Sequence, residues 1–294
     1  MVSDPSSRIA NKQKGFTLVE LLMVIAVIGL LSSIIFAVTK GSGEQGRIAR
    51  GLYFSQHLQN SLGAYAAGTW KFDEGSGATV NDTSGWQSNG TLVNSPTWRC
   101  ASTDANYTPS GQGCSLEFNG SNQYINIGSA QNLRLNGNAT FEAWIKTTQT
   151  SSYRVIVAES HSWAIGRNYE YMINNGVLIF AHGDGDNYTT YSSDTSVANG
   201  KFNHVVFVAD YPSYYFYVNG ERVKTGTMSF PLREGVGSQP GAAGRIIGGL
   251  SWTMYFDGLI DEVRIYDSAL TITQIKSQYY AGLGKLFIKD QIST

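Results

Sequence analysis

Charge is scarce in this sequence, and so is most of the equipment that enzymes use. Of 294 residues only 15% are Asp, Glu, Lys or Arg, the formal net charge is −1, and no Lys/Arg cluster stands beyond the first 15 residues. Without a basic stripe there is no electrostatic footprint for nucleic acid, and no nucleic acid partner is expected. The four histidines, His57, His161, His182 and His204, show no metal-ligand spacing, and neither a G-x-S-x-G elbow nor a phosphate-binding loop is present. The carboxylates do not pair on one strand face either: Glu170 stands alone in "YEYMI", and Asp261 and Glu262 of "IDEVR" fall on opposite faces. No catalytic residue is assigned, and an enzyme is not expected. Cysteine is limited to Cys100 and Cys114. Two cysteines fit an exported protein with one disulfide and equally a pair of buried thiols, so the compartment has to decide.

What the sequence does hold is 33 Gly, 17 Tyr, 13 Phe and 6 Trp, a composition of short strands and tight turns. Set apart from this is one long apolar run over residues 16–38, whose only polar side chains are Thr17, Glu20, Ser32 and Ser33. As a helix it is roughly 34 Å long at ~1.5 Å per residue, enough for a ~30 Å hydrocarbon core. Arg8, Lys12 and Lys14 precede it against Asp4 alone, and Lys40 follows, which places the N-terminus in the cytoplasm and the remainder outside. A cleaved secretory signal ending near Ala37, or a plain anchor, accounts for the hydropathy. Neither accounts for Glu20, because a carboxylate in a spanning helix costs on the order of 2.5–3.5 kcal/mol at mid-membrane and implies a partner.

"KGFTLVELL" resembles the leader junction of type IV prepilins and pseudopilins: basic leader, Gly, Phe, then Glu four residues on, at the head of an apolar run. The resemblance implies that prepilin peptidase cuts after Gly15 and that the new terminus, Phe16, is N-methylated. The new amine then lies one helical turn from Glu20, which can pair with it or with the amine of a neighbouring subunit. A misplaced subunit leaves both charges unpaired, so Glu20 is expected to set register in a filament. Residues 1–15 are thus a leader and 16–38 a membrane and assembly helix. Residues 39–67 carry Ile48, Leu52, Leu58, Leu62 and Tyr65 at helical spacing behind Gly41, Gly43 and Gly46, which reads as an amphipathic stem or as a linker with a shorter helix.

From about residue 68 to 283 the pattern is antiparallel β: strands over Ser115–Phe118, Tyr124–Ile127, Thr140–Lys146, Arg154–Ala158, Val177–Ala181, His204–Asp210, Tyr214–Asn219 and Phe256–Tyr266. Asn-Gly pairs in "FNGSNQ", "INNGVL" and "VNGERV" mark hairpin turns, since both central residues accept positive φ. Thr271 with Gln274 forms a capping box opening one short helix that Gly282 closes, and residues 284–294 read as a tail. The stretches "WKFDEGSGATVNDTSGWQSNGTL", "SLEFNGSNQYINI", "FEAWIK", "KFNHVVFVAD", "YVNGERV" and "FDGLIDEVRIYDSAL" are similar, in order, to the concanavalin A-like, laminin G-like domains. The expected fold is mainly β: an antiparallel jelly-roll sandwich preceded by a long pilin-type helix.

That resemblance implies a structural calcium ion held by Asp82, Asn89, Asp257 and Asp261, oxygen donors of the kind a hard cation takes. Here Trp86, Gln87 and Ser88 interrupt the turn that relatives carry after "DTSG", and Asp82 or Asp257 can as well be turn residues. Asp184 and Asp186 of "HGDGDN" lack a downstream Glu and read as a hairpin tip. Hydrolases of this sandwich type place paired carboxylates as E-x-D-x-x-E, which is absent here. Trp86, Trp163, Tyr169, Tyr188, Tyr191, Trp252 and Tyr255 fall in or near loops, where rings stack on sugars or anchor protein interfaces, or else belong to the core. Export favours a Cys100–Cys114 disulfide, closing a loop worth ~3 kcal/mol.

The sequence therefore reads as a type IV pilin-like subunit, minor rather than major, displaying a sandwich for adhesion by carbohydrate or protein binding. Its partners are prepilin peptidase, other pilin subunits, the membrane before assembly, and a surface glycan or protein. The alternatives are a pseudopilin of a secretion or DNA-uptake apparatus and, further off, a glycan hydrolase.

Overall fold

Positive-φ pairs place two of the hairpins. Asn175 (φ 51) with Gly176 (φ 80) and Asn219 (φ 53) with Gly220 (φ 77) form two-residue turns whose twist matches the flanking strands. In the computed structural model, which describes residues 18, 19, 21–23, 25, 62–159, 169–183, 187–233, 245–249 and 254–292, these turns join strands of a two-sheet sandwich. In chain order the strands are β1 (Ala66–Trp70), β2 (Thr79–Val80), β3 (Gly90–Val93), β4 (Thr97–Cys100), β5 (Cys114–Asn119), β6 (Tyr124–Gly128), β7 (Ala139–Lys146) and β8 (Arg154–Glu159). They continue with β9 (Tyr169–Asn174), β10 (Val177–Gly183), β11 (Tyr188–Ser196), β12 (Asn203–Asp210), β13 (Ser213–Val218), β14 (Glu221–Thr227), β15 (Arg245–Ile247) and β16 (Asp257–Tyr266), before a C-terminal helix α1 (Ile272–Ile292).

One sheet runs β14-β13-β12-β7-β16-β5-β4, with β1 also on β16; the other runs β11-β10-β9-β8-β15-β6-β3-β2. Every strand pairing is antiparallel. The expected antiparallel sandwich is the fold. Asn119-Gly120 is not a hairpin turn, however. It carries the chain from β5 in one sheet to β6 in the other, and the Asn119 side chain accepts from the backbone N–H of Ser121 and Asn122 to hold the bend.

Between the sheets lies an aromatic core in which Phe180 stacks on Phe207 with centroids 3.8 Å apart and Phe141 meets Tyr169 at 4.8 Å. The first sheet is also covered on its outer face. Leu62, Leu270 and Ile275 close over Val206, Val208, Tyr217 and Tyr266. Strand alternation in β13 therefore buries both sets: Tyr214 and Phe216 between the sheets, Tyr217 under the outer layer. Leu62, assigned from sequence to the stem, is 1% exposed and belongs to this layer, and β1 begins at Ala66.

Helix α1 opens as expected: Gln274 Oε1 accepts from Thr271 N at 2.8 Å, and Thr271 Oγ1 accepts from Gln274 N. It does not end at Gly282. A Cβ there would lie 2.8 Å from Trp144 Cζ2, so this glycine answers to a close approach rather than to a left-handed cap, and the helix runs to Ile292 instead of leaving a tail.

The chain divides into two units, 1–54 and 55–294. In the first, Leu18, Val19, Leu21, Leu22, Met23 and Ile25 are helical with exposed side chains. Gly15, Phe16 and Glu20 lie outside the described residues, as does most of the predicted span, and no helix among the described residues is long and apolar enough to cross a membrane.

Candidate functional site

Thr69 on β1 stands directly opposite Arg264 on β16, and the turn after Asp82 folds over that pair. Asp82 makes the turn. Its Oδ1 accepts from the backbone N–H of Thr69 and Ser84, each at 2.9 Å, while its Oδ2 accepts from Ser84 Oγ at 2.9 Å and Ser88 N at 3.0 Å. Four donors thus occupy one carboxylate and fix Thr83 and Ser84 beside β1. Trp86, two residues further, is 63% exposed. Between this turn, β1, β16 and α1 lies a pocket of about 350 Å³, floored by Leu62 and Ala66 and edged by Thr69, Lys71, Thr83 and Arg264.

Behind the pocket is a buried ionic network. Arg264 Nη1 donates to Glu142 Oε1 at 2.6 Å and Nη2 donates to Glu262 Oε2 at 2.8 Å, while His204 Nε2 lies 3.1 Å from the same Glu142 oxygen. Burial alone would depress the Arg264 pKa, but Glu262 and Glu142 more than reverse it, and the guanidinium stays charged. Burial would likewise raise the Glu142 pKa, and Arg264 with His204 pulls it below the ordinary carboxylate value instead. A bulge between Asp261 and Arg264, with Glu262 at φ 48, interrupts the alternation expected through "IDEVR", and both acids are buried. The Asp261 carboxyl is pushed well up, first by burial, then by Glu262 and Asp73.

The four oxygen donors expected around calcium do not gather. Asp82 and Asn89 are adjacent, with Asn89 Oδ1 accepting from Asp82 N at 2.9 Å. Asp257 instead accepts from Gln149 Nε2 at 2.8 Å, and Asp261 Oδ1 accepts from Glu262 N. Among the described residues no three His, Cys, Asp or Glu side chains form a metal-holding group. The set does not fit a cation as a unit, because the Asp82 lone pairs are spent on N–H and O–H donors.

Cys100 and Cys114 are joined, directly opposite each other on β4 and β5. The described loop aromatics divide between core and surface. Tyr169 and Tyr191 are buried in the core, Tyr188 is 48% exposed and donates to Glu170 Oε2, and Tyr255 packs by Tyr124. Trp163, Trp252, Asp184 and Asp186 lie outside the described residues, though β10 and β11 do pair across "HGDGDN". Sequence reasoning missed Lys71, Thr69 and Arg264. The faint signal for Arg264 was a charge within the apolar strand "EVRIY"; Thr69 and Lys71 carried none.

Comparison with known proteins agrees with this architecture. A family profile described as the concanavalin A-like lectin/glucanases superfamily matches residues 119–276, more than half of the chain. The chain belongs to that superfamily. A second profile, the prokaryotic N-terminal methylation motif, matches residues 10–36, which include Gly15, Phe16 and Glu20. The protein is a pilin-like subunit with a lectin/glucanase-like sandwich. The motif implies processing by prepilin peptidase, membrane anchoring, and assembly with other pilin subunits into an extracellular pilus.

Among solved structures, domain 4 of AbnA, an extracellular arabinanase of Geobacillus stearothermophilus determined with arabinotriose, is 20% identical, with a TM-score of 0.54 over 72% of this chain and 97% of that one. The botulinum neurotoxin serotype D binding domain is 15% identical, with a TM-score of 0.56 over 76% of this chain and 52% of that one. The binding domain of Paraclostridial Mosquitocidal Protein 1 is 13% identical, at 0.53 over 75% and 53%. At these identities the likeness shows the fold alone.

Proposed function

We propose that the protein is a minor type IV pilus subunit whose sandwich is carried outside the cell as a carbohydrate-binding, adhesive head, acting by binding and not by catalysis. The observation that supports this reading best is the union in one chain of a methylation motif at residues 10–36 with a lectin/glucanase-type domain at 119–276. Leu62, buried against the head immediately ahead of β1, ties the first strand's approach firmly to the sandwich. Many such heads along one fibre multiply weak single-site affinities, because each further contact is made at high effective concentration.

The test is incorporation of the tagged full-length chain into sheared pili, followed by glycan-array binding of those pili against pili lacking the subunit. Subunit-dependent glycan binding supports the reading. Co-purification with a secretion or DNA-uptake apparatus, without glycan binding, replaces it with a pseudopilin, and release of reducing sugar replaces it with a hydrolase.

A further inference from the structure

The pocket between β1 and α1 has a one-sided inventory of charged groups. Two of its lining side chains, Lys71 and Arg264, are cationic, and none is acidic. Glu142 and Glu262 hold Arg264 from outside the lining, and Asp82 at the base of the overlying turn has both carboxylate oxygens engaged by four donors. Lys71 is exposed and has no ion-pair partner among the described residues. What faces a ligand is thus an ammonium, the edge of a guanidinium, the hydroxyls of Thr69, Thr83 and Ser84 and the Gln278 amide, whose nitrogen donates to Tyr266 Oη, over the apolar floor of Leu62 and Ala66.

The charge of the lining decides the ligand class. Hydroxyls and an amide can serve the hydroxyls of any sugar, since each group both donates and accepts, so it is the charged lining groups that discriminate. The charged side chains lining this pocket, Lys71 and Arg264, are both cations, which a carboxylate with its acceptor-only oxygens satisfies. A volume of about 350 Å³ suits a small unit at the end of, or within, a longer chain. We propose that the pocket binds a carboxylate-bearing sugar unit, its carboxylate on the Lys71 ammonium, ring hydroxyls on Thr69 and Thr83, and its apolar face over Leu62 and Ala66. The inference rests on the reading of the head as a carbohydrate-binding module. It adds the site and the charge of the sugar.

The experiment titrates the detergent-purified full-length chain with three probes: an oligogalacturonate, the neutral galactose oligomer of equal length, and glycerol 1-phosphate. The oligogalacturonate is expected to bind more tightly than the other two and to weaken as salt is added. Lys71→Ala should weaken it roughly five-fold, the scale of an exposed charge pair, with Lys71→Arg retaining most of the affinity. Because Lys71 is exposed, neither variant threatens folding, and an unchanged melting temperature verifies this. Equal binding of neutral and acidic oligomers, or indifference to Lys71→Ala, overturns this site while leaving the carbohydrate-binding reading standing. Binding of glycerol 1-phosphate alone overturns the sugar and assigns the pocket to phosphate groups. Failure of all three probes, together with a glycan array that stays blank, overturns both readings.

Discussion

Replacing Gly282 by alanine sets two effects of opposite sign against each other inside α1. In a helix interior Ala is better than Gly by about 1 kcal/mol, because the unfolded chain loses freedom. At Gly282 the new methyl carbon would meet Trp144 Cζ2 at 2.8 Å and Cε2 at 3.2 Å. That ring is 2% exposed and is held by Tyr279, stacked at 5.8 Å, and His204 at 5.1 Å, so it has nowhere to go. The helix must lift away, and overpacking of this kind costs about 1–3 kcal/mol. Packing wins, leaving a net loss of about 1 kcal/mol, which lowers Tm by roughly 2–4 °C in a domain of this size. Gly63 supplies the contrast: it is helical and nothing lies within 4 Å of an added Cβ, so Gly63→Ala should be neutral or raise Tm. Thermal melts of the two full-length variants, recorded side by side by near-ultraviolet circular dichroism, decide it. A Gly282→Ala protein as stable as the Gly63→Ala protein refutes the claim that the glycine is there for Trp144.

Leu62→Ala should destabilise the head by about 2–4 kcal/mol, since the side chain is 1% exposed among apolar neighbours, whereas Tyr65→Ala, at 53% exposure, should cost little; equal costs in denaturant titrations would show that Leu62 is not part of the outer layer. The raised Asp261 pKa means that the unfolded chain releases this proton first, so folding loses stability as pH rises above the ordinary value of 3.8. Asp261→Asn keeps the acceptor for Glu262 N and should stabilise the fold by about 1 kcal/mol or more at neutral pH, the gain shrinking toward pH 4; a loss at pH 7 would contradict it. Changing Cys100 and Cys114 together to serine should cost about 3 kcal/mol, and the unreduced parent should show no alkylatable thiol by mass spectrometry.

Local sequence signals were legible where local geometry alone decides. The Asn-Gly turns at 175–176 and 219–220, the Thr271–Gln274 cap and the alternation through Tyr214–Tyr217 all follow from neighbours in the chain. The misreadings have one physical origin, a residue whose reason lies in a distant element. Asn119-Gly120 announces a bend but not which sheet the chain enters next, and Gly282 looks like a helix stop until Trp144 is packed against it. Glu142 and Arg264 went unread altogether, because nothing in "FEAWIK" or "EVRIY" reveals that α1 and Leu62 cover that face. Asp82 reads from the sequence either as a calcium ligand or as a turn residue, and its four hydrogen bonds show a carboxylate spent on building a turn. The pocket itself joins residues 62–84, 264–266 and 278, a proximity that only the pairing of β1 with β16 creates.

The claim on which filament assembly depends is a single proteolytic event ahead of a lone acid in the apolar run. Tandem mass spectrometry of the N-terminal peptide from protein sheared off cells tests it directly: the account predicts a peptide beginning at Phe16 and carrying one N-methyl group. A mature chain that begins at Met1, or downstream of Ala37, contradicts it.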